Sequence, residues 1–161
     1  MALLLAFAQF GCAPIRLVSD YDEAIDKGIT VIQRETETFL VQLESSPGDD
    51  RAPVTAYEGT KAFYKEMKIS VSALRIRADA TDRNSLTVQM LDKFQTNMNS
   101  FESAHREGMK KFEVTFFRGG FNSQMTAILT FELAKKRGEK PDPQKAAIPA
   151  TPAISHSGAI K

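Results

Sequence analysis

The sequence predicts an all-α protein, an antiparallel four-helix bundle followed by a disordered C-terminal tail. Three observations predict it. Apolar residues recur at alternating steps of three and four along four separate stretches, and each set therefore falls on one stripe of a helix. Polar or glycine-bearing breaks divide those stretches at Ser45–Pro53, Asp82–Ser85 and Gly108, and such short connections favour up-down-up-down packing. The composition, 25% charged and 42% hydrophobic over 161 residues, is that of an ordinary soluble globular chain with one core.

The first helix is expected over residues 19–45. Ser19 is placed as an N-cap, and Asp20, Asp22, Glu23 and Asp26 supply negative charge where the helix dipole favours it. Ile25, Ile29, Ile32, Thr36, Phe39 and Leu43 form its stripe, and Gly28 weakens it slightly. Ser45 to Pro53 is rich in turn residues and reads as a loop.

A capping pair of Thr55 and Glu58 opens a second helix over 56–80, with Tyr57, Thr60, Tyr64, Met67, Val71, Leu74 and Ala78 along one side. Within it, the alternation of Val71, Ala73, Arg75 and Arg77 competes as a strand pattern. Asn84 or Ser85 caps a third helix over 85–107, striped by Leu91, Phe94, Met98 and Phe101 and closed by His105, Arg106 and Gly108. The fourth, over 111–136, carries Val114, Phe117, Phe121, Met125, Ile128 and Phe131 at helical spacing through Gly119 and Gly120. Those glycines are expected to permit close approach of a neighbouring helix. A strand at Phe112–Phe117 with a turn at the glycines is the alternative. Ile32, Phe39, Met67, Leu74, Phe94, Phe101, Phe121 and Ile128 are the expected core.

The N-terminus has a separate logic. Leu3–Phe10 is apolar except for Gln9 and runs into Gly11-Cys12-Ala13-Pro14, where Cys12 is the one cysteine of the chain. A run of about ten residues is half the length that spans a bilayer, but it suits the apolar region of an export signal ending at a small residue. This layout resembles a bacterial lipoprotein precursor, and Cys12–Glu23 together with Phe121–Gln124 and Lys135–Gly138 is similar to a group of small proteobacterial lipoproteins of unknown function. The match departs at Met1-Ala2, which lacks a basic residue, and at Gln9 and Phe10, where such signals usually carry Leu and a small residue.

The resemblance implies a signal peptide over 1–11, acylation of Cys12, a lipid tether over 12–18, the helical domain over 19–138 and a partner in the cell envelope. Ala13 rather than Asp after the cysteine implies the outer membrane, facing the periplasm. The competing possibility is an uncleaved apolar N-terminus packed on the fold, with Cys12 as a small buried residue. Residues 139–161 hold Pro141, Pro143, Pro149 and Pro152 without hydrophobic period, a composition that predicts disorder.

Chemical motifs are sparse. Residues 1–55 hold nine acidic and four basic side chains and residues 56–161 eleven and seventeen, with no single basic patch for nucleic acid. Glu102-Ser103-Ala104-His105 matches one half of a carboxylate-bridged di-iron motif, but the remaining histidine, His156, lies in the tail and no second copy exists. A haem-attachment run and a phosphate-binding glycine loop are absent from the sequence. Two function classes follow. One is a non-catalytic binding or scaffolding module without cofactor, anchored to a membrane; the other is a small ligand carrier or enzyme with an inter-helix pocket, polar at Tyr57, Tyr64, Arg75 or Arg77.

Overall fold

The computed structural model describes residues 17–138. The signal over 1–11, Cys12, most of the tether and the tail over 139–161 lie outside the described residues. Four helices account for the rest: α1 (Glu23–Glu44), α2 (Lys61–Asp79), α3 (Ser85–Arg106) and α4 (Lys111–Lys136). Both stretches with strand-like alternation are helical throughout, because their buried residues keep the three-and-four step.

Each helix packs on two neighbours, α1 on α2 and α4, and α3 on the same two. Contacts between opposite helix ends set the directions. Arg77 near the end of α2 reaches Asp22 just before α1 at 2.7 Å, and Arg118 early in α4 reaches Glu44 at the end of α1 at 2.7 Å. Lys135 at the end of α4 meets Asn84 and Thr87 at the start of α3. The bundle is antiparallel, as the short connections predict.

The stripe of α1 is buried from Ile25 to Leu43, and Leu40 joins it. Seven of the eight expected core residues are buried, while Leu74 is half-buried at the margin. Phe101 stands at the centre, with the rings of Phe117 and Phe121 at 5.0 and 5.5 Å and those of Tyr64 and Phe39 at 6.0 and 6.2 Å. Such offset and edge contacts are the favourable aromatic arrangements.

The helix starts depart from expectation. Asp22, not Ser19, caps α1: its carboxylate accepts from the N–H groups of Ala24 at 2.8 Å and Ile25 at 3.4 Å. An ionised acceptor satisfies these orphan donors better than a hydroxyl, and the Ser19 hydroxyl is occupied elsewhere, donating to Asn84 Oδ1 at 3.0 Å. Asn84 precedes α3 but makes no side-chain cap.

Thr55 does not cap α2 either. Its N–H donates back to the Ser46 hydroxyl at 2.9 Å, so the chain passes through a 3-10 turn at Tyr57–Thr60 before the α-helix begins. The first-turn donors of α4 are met by the loop after α1, since Lys111 N–H donates to Ala52 O at 3.2 Å and Phe112 N–H to Asp50 O at 3.1 Å. Lys110 has no acceptor on its side chain, so the loop carbonyls do what a cap would do.

The glycines also exchange roles. Gly119 and Gly120 do not sit at a helix contact: a Cβ added at either would meet nothing within 4 Å. They lie about 200° and 100° around the helix from buried Phe121, which turns them to solvent. The close approach is at Gly28, where an added Cβ would stand 2.5 Å from Leu74 Cδ2 and 3.2 Å from Leu74 Cγ. Gly28 lets α1 press on α2.

The two sites therefore respond oppositely to the same added methyl. Gly120→Ala should stabilise the fold by about 0.5–1 kcal/mol through helix propensity, whereas Gly28→Ala should destabilise it by about 1 kcal/mol through overpacking against Leu74. Urea unfolding of the two variants beside wild type measures both; equal gains would show that Leu74 yields freely.

Candidate functional site

Where α2 begins and α3 ends, the antiparallel pairing brings together Tyr57, Tyr64, Glu102 and His105. The i, i+3 spacing puts Glu102 and His105 on the inner side of α3, and both are buried. His105 Nε2 lies 2.6 Å from the carbonyl of Thr55 and Nδ1 lies 2.7 Å from the hydroxyl of Tyr64. A carbonyl only accepts, so Nε2 carries a proton and donates to it, while Nδ1 and the Tyr64 hydroxyl share the second hydrogen bond. Neither nitrogen is left for a metal ion.

Glu102 is equally occupied. Its Oε2 is 2.5 Å from the Lys68 ammonium, and its Oε1 accepts from the Tyr57 hydroxyl at 2.8 Å and from Arg106 at 3.3 Å. Burial pushes this carboxyl up, but the hydrogen bonds from Lys68 and Tyr57 and the charges of Lys68 and Arg106 outweigh it and hold it below the ordinary range. Burial, with the negative charge of Glu102 next, drives the Tyr64 phenol far above its usual value, so it stays protonated. The Arg106 guanidinium also lies over the Tyr57 ring, 5.0 Å from its centroid.

The arginines expected in a pocket are elsewhere. Arg75 pairs with Asp92 at 2.7 Å and Arg77 with Asp22 at 2.7 Å, both on the outer surface between helices. Each has the carboxylate partner that an inward-facing ligand-binding arginine would lack. Of the residues singled out in the sequence, the structure joins the two tyrosines with Glu102 and His105 and separates the two arginines from them.

A second polar cluster closes the opposite end. Lys135 and Glu132 are both fully enclosed, with side chains 1% and 0% exposed. The Lys135 ammonium donates to Asn84 Oδ1 at 2.6 Å, Glu132 Oε1 at 2.7 Å and Thr87 Oγ1 at 3.0 Å, which uses all three of its protons. Thr87 passes its own proton to Glu132 Oε1 at 2.7 Å. A sequence signal existed: Ile128, Glu132 and Lys135 continue the buried stripe of α4 by steps of four and three, so two charges occupy core positions.

Fold and sites together define a four-helix bundle with a buried hydrogen-bonded cluster at each end. Compared with known proteins, the chain matches no family model, and no curated protein or solved structure is significantly similar to it. Among the described residues no group of three or more His, Cys, Asp or Glu side chains is arranged to hold a metal ion.

The two clusters give two expectations. Because the Glu102 carboxyl is lowered in the folded protein, its contribution is present above the unfolded value of about 4.3 and disappears as pH falls through the folded value. Glu102→Gln should cost about 1–3 kcal/mol at neutral pH and flatten the acid limb of stability against pH; an unchanged acid limb would place the titration elsewhere. Lys135→Met should cost about 3–5 kcal/mol by leaving Glu132 charged and alone, and adding Glu132→Leu should recover much of it. Chemical denaturation of the two variants decides this, and no recovery in the double variant would show that the ammonium itself, not the orphaned carboxylate, matters.

Proposed function

We propose that the protein is a lipid-anchored module of the cell envelope, held through Cys12 to the outer membrane, facing the periplasm and acting by binding or scaffolding rather than by catalysis. The observation that carries this is the apolar run Leu3–Phe10 ending at Gly11-Cys12, six residues ahead of a chain that enters the bundle at one end. Leu17 is 75% exposed and Ser19 is already tied to Asn84, so the approach to the domain starts at its surface. Seven residue steps from Cys12 to Ser19 reach at most about 25 Å, enough to separate a lipid from the bundle without disturbing α1.

Further support comes from how the polar side chains are used. His105, Tyr64 and Glu102, the residues best suited to chemistry, are bound to Thr55, Tyr57, Lys68 and Arg106. Such closed networks rigidify a fold. Among the described residues no helix is long and apolar enough to cross a membrane. Attachment in this proposal is by acyl chains, several of which are needed for stable anchoring.

The test is fatty-acid labelling of wild type and Cys12→Ser, with mass spectrometry of the mature N-terminus. The proposal expects labelled wild-type protein beginning at Cys12, and for the variant no label and either uncleaved precursor or soluble protein. Wild-type levels of the variant in the membrane fraction, or Met1 intact on the mature wild-type chain, would overturn it.

A further inference from the structure

The outward face of α4 is unlike the rest of the surface. Phe112 and Phe116, one turn apart, are 54% and 70% exposed, and the same face continues through Gly119, Ser123, Ala127 and Thr130. From Gly119 to Phe131 the helix has no charged residue. Arg118 is turned aside to Glu37 and Glu44 of α1. By contrast, exposed Ile69 and Ile76 on α2 stand among Lys65, Lys68, Arg75 and Arg77. An uncharged strip about 27 Å long, aromatic at its start and lined by small residues beyond, on an otherwise charged protein has the character of an interface centre.

We propose that this face binds a second copy of the chain, α4 against α4 in antiparallel sense about a two-fold axis near Gly119 and Gly120. The distribution of bulk argues for this occupant and this direction. Large residues occupy the N-terminal half of the face and small ones the C-terminal half. Antiparallel pairing about that centre sets Phe116 over Ser123 and Phe112 over Ala127 of the partner helix, with glycines at the crossing. Parallel pairing instead stacks four phenyl rings at one end and leaves glycine, serine and alanine facing each other at the other, which holds the helices apart.

An isologous contact sets each patch against itself, so any net charge on it would repel its copy; this strip has none to repel. A phenyl group buries about 150–250 Å² when fully enclosed, and since Phe112 and Phe116 are already partly covered, the four rings add roughly 400–600 Å²; with the small residues between, the pair stays below about 1,000 Å², the range of weak, transient interfaces. The association is therefore weak and reversible. It does not depend on acylation of Cys12.

Sedimentation velocity and cysteine cross-linking on the full chain carrying Cys12→Ser test it. The average mass should rise from one copy toward two between roughly 10 and 500 µM, as suits so small an interface, and Phe116→Asp or Ser123→Arg should each hold it at one copy with unchanged helical circular dichroism. Gly119→Cys should form a disulfide-linked dimer, and Phe112→Cys and Thr130→Cys should not. A monomer at every concentration overturns the proposal. So does self-association that survives Phe116→Asp, which would place it at Leu3–Phe10 or another surface, or cross-linking at positions 112 and 130 equal to that at 119. Liposome binding that is lost in Phe116→Asp while the wild type stays monomeric would instead make the face a membrane contact.

Discussion

The ammonium of Lys135, with three acceptors and no exposure, sets the register of this bundle. Apolar stripes repeated every three and four residues attract one another, but they do not by themselves forbid a slip along the helix axes. A buried cation does, because any displacement strands it in a low-dielectric interior without its partners. Asn84 ties this ammonium to Ser19 as well, so the start of α3, the end of α4 and the segment before α1 are fixed by one amide oxygen. Two polar atoms of the cluster, Asn84 Nδ2 and Glu132 Oε2, find no hydrogen-bond partner among the described residues.

The opposite end is secured by different means. There the loop after α1 crosses the bundle, pairs Pro53 with Lys110 and donates from Val54 N–H to Met109 O at 3.0 Å. His105 donates to the Thr55 carbonyl and shares a hydrogen bond with the Tyr64 hydroxyl, so one imidazole joins α2, α3 and that loop. The result is a lid of backbone and side-chain bonds over an aromatic centre built on Phe101.

Among the described residues both ends are occupied by internal contacts, which leaves the sides of the helices to face other molecules. Most of those sides are charged and interleaved, as in the pairs Lys27 with Glu23 and Arg75 with Asp92, and such exposed pairs favour solvation over association. The side of α4 is the exception. A bundle that displays one uncharged helix face and keeps its histidine and buried carboxylates inside offers other molecules that face rather than its ends.

Much of this architecture was legible in the sequence. Four three-and-four stripes and the breaks between them locate the helices to within a few residues, because burying one face is a property of the spacing itself. Tyr57, Tyr64, Glu102 and His105 could be marked as polar groups near helix ends, though not as one hydrogen-bonded set, since they come together only when α2 and α3 run antiparallel. Ser19 and Thr55 look like caps in the sequence and are not, for the same reason: a hydroxyl that can cap a helix can equally bond Asn84 or Ser46, and distant neighbours choose. Spacing and residue type thus determined the helices and their inner faces. The tertiary structure alone decided that Lys135 and Glu132 would be enclosed, that Gly28 rather than Gly119 would bear a helix contact, and that Arg75 and Arg77 would face out, because each depends on what an adjacent helix places opposite.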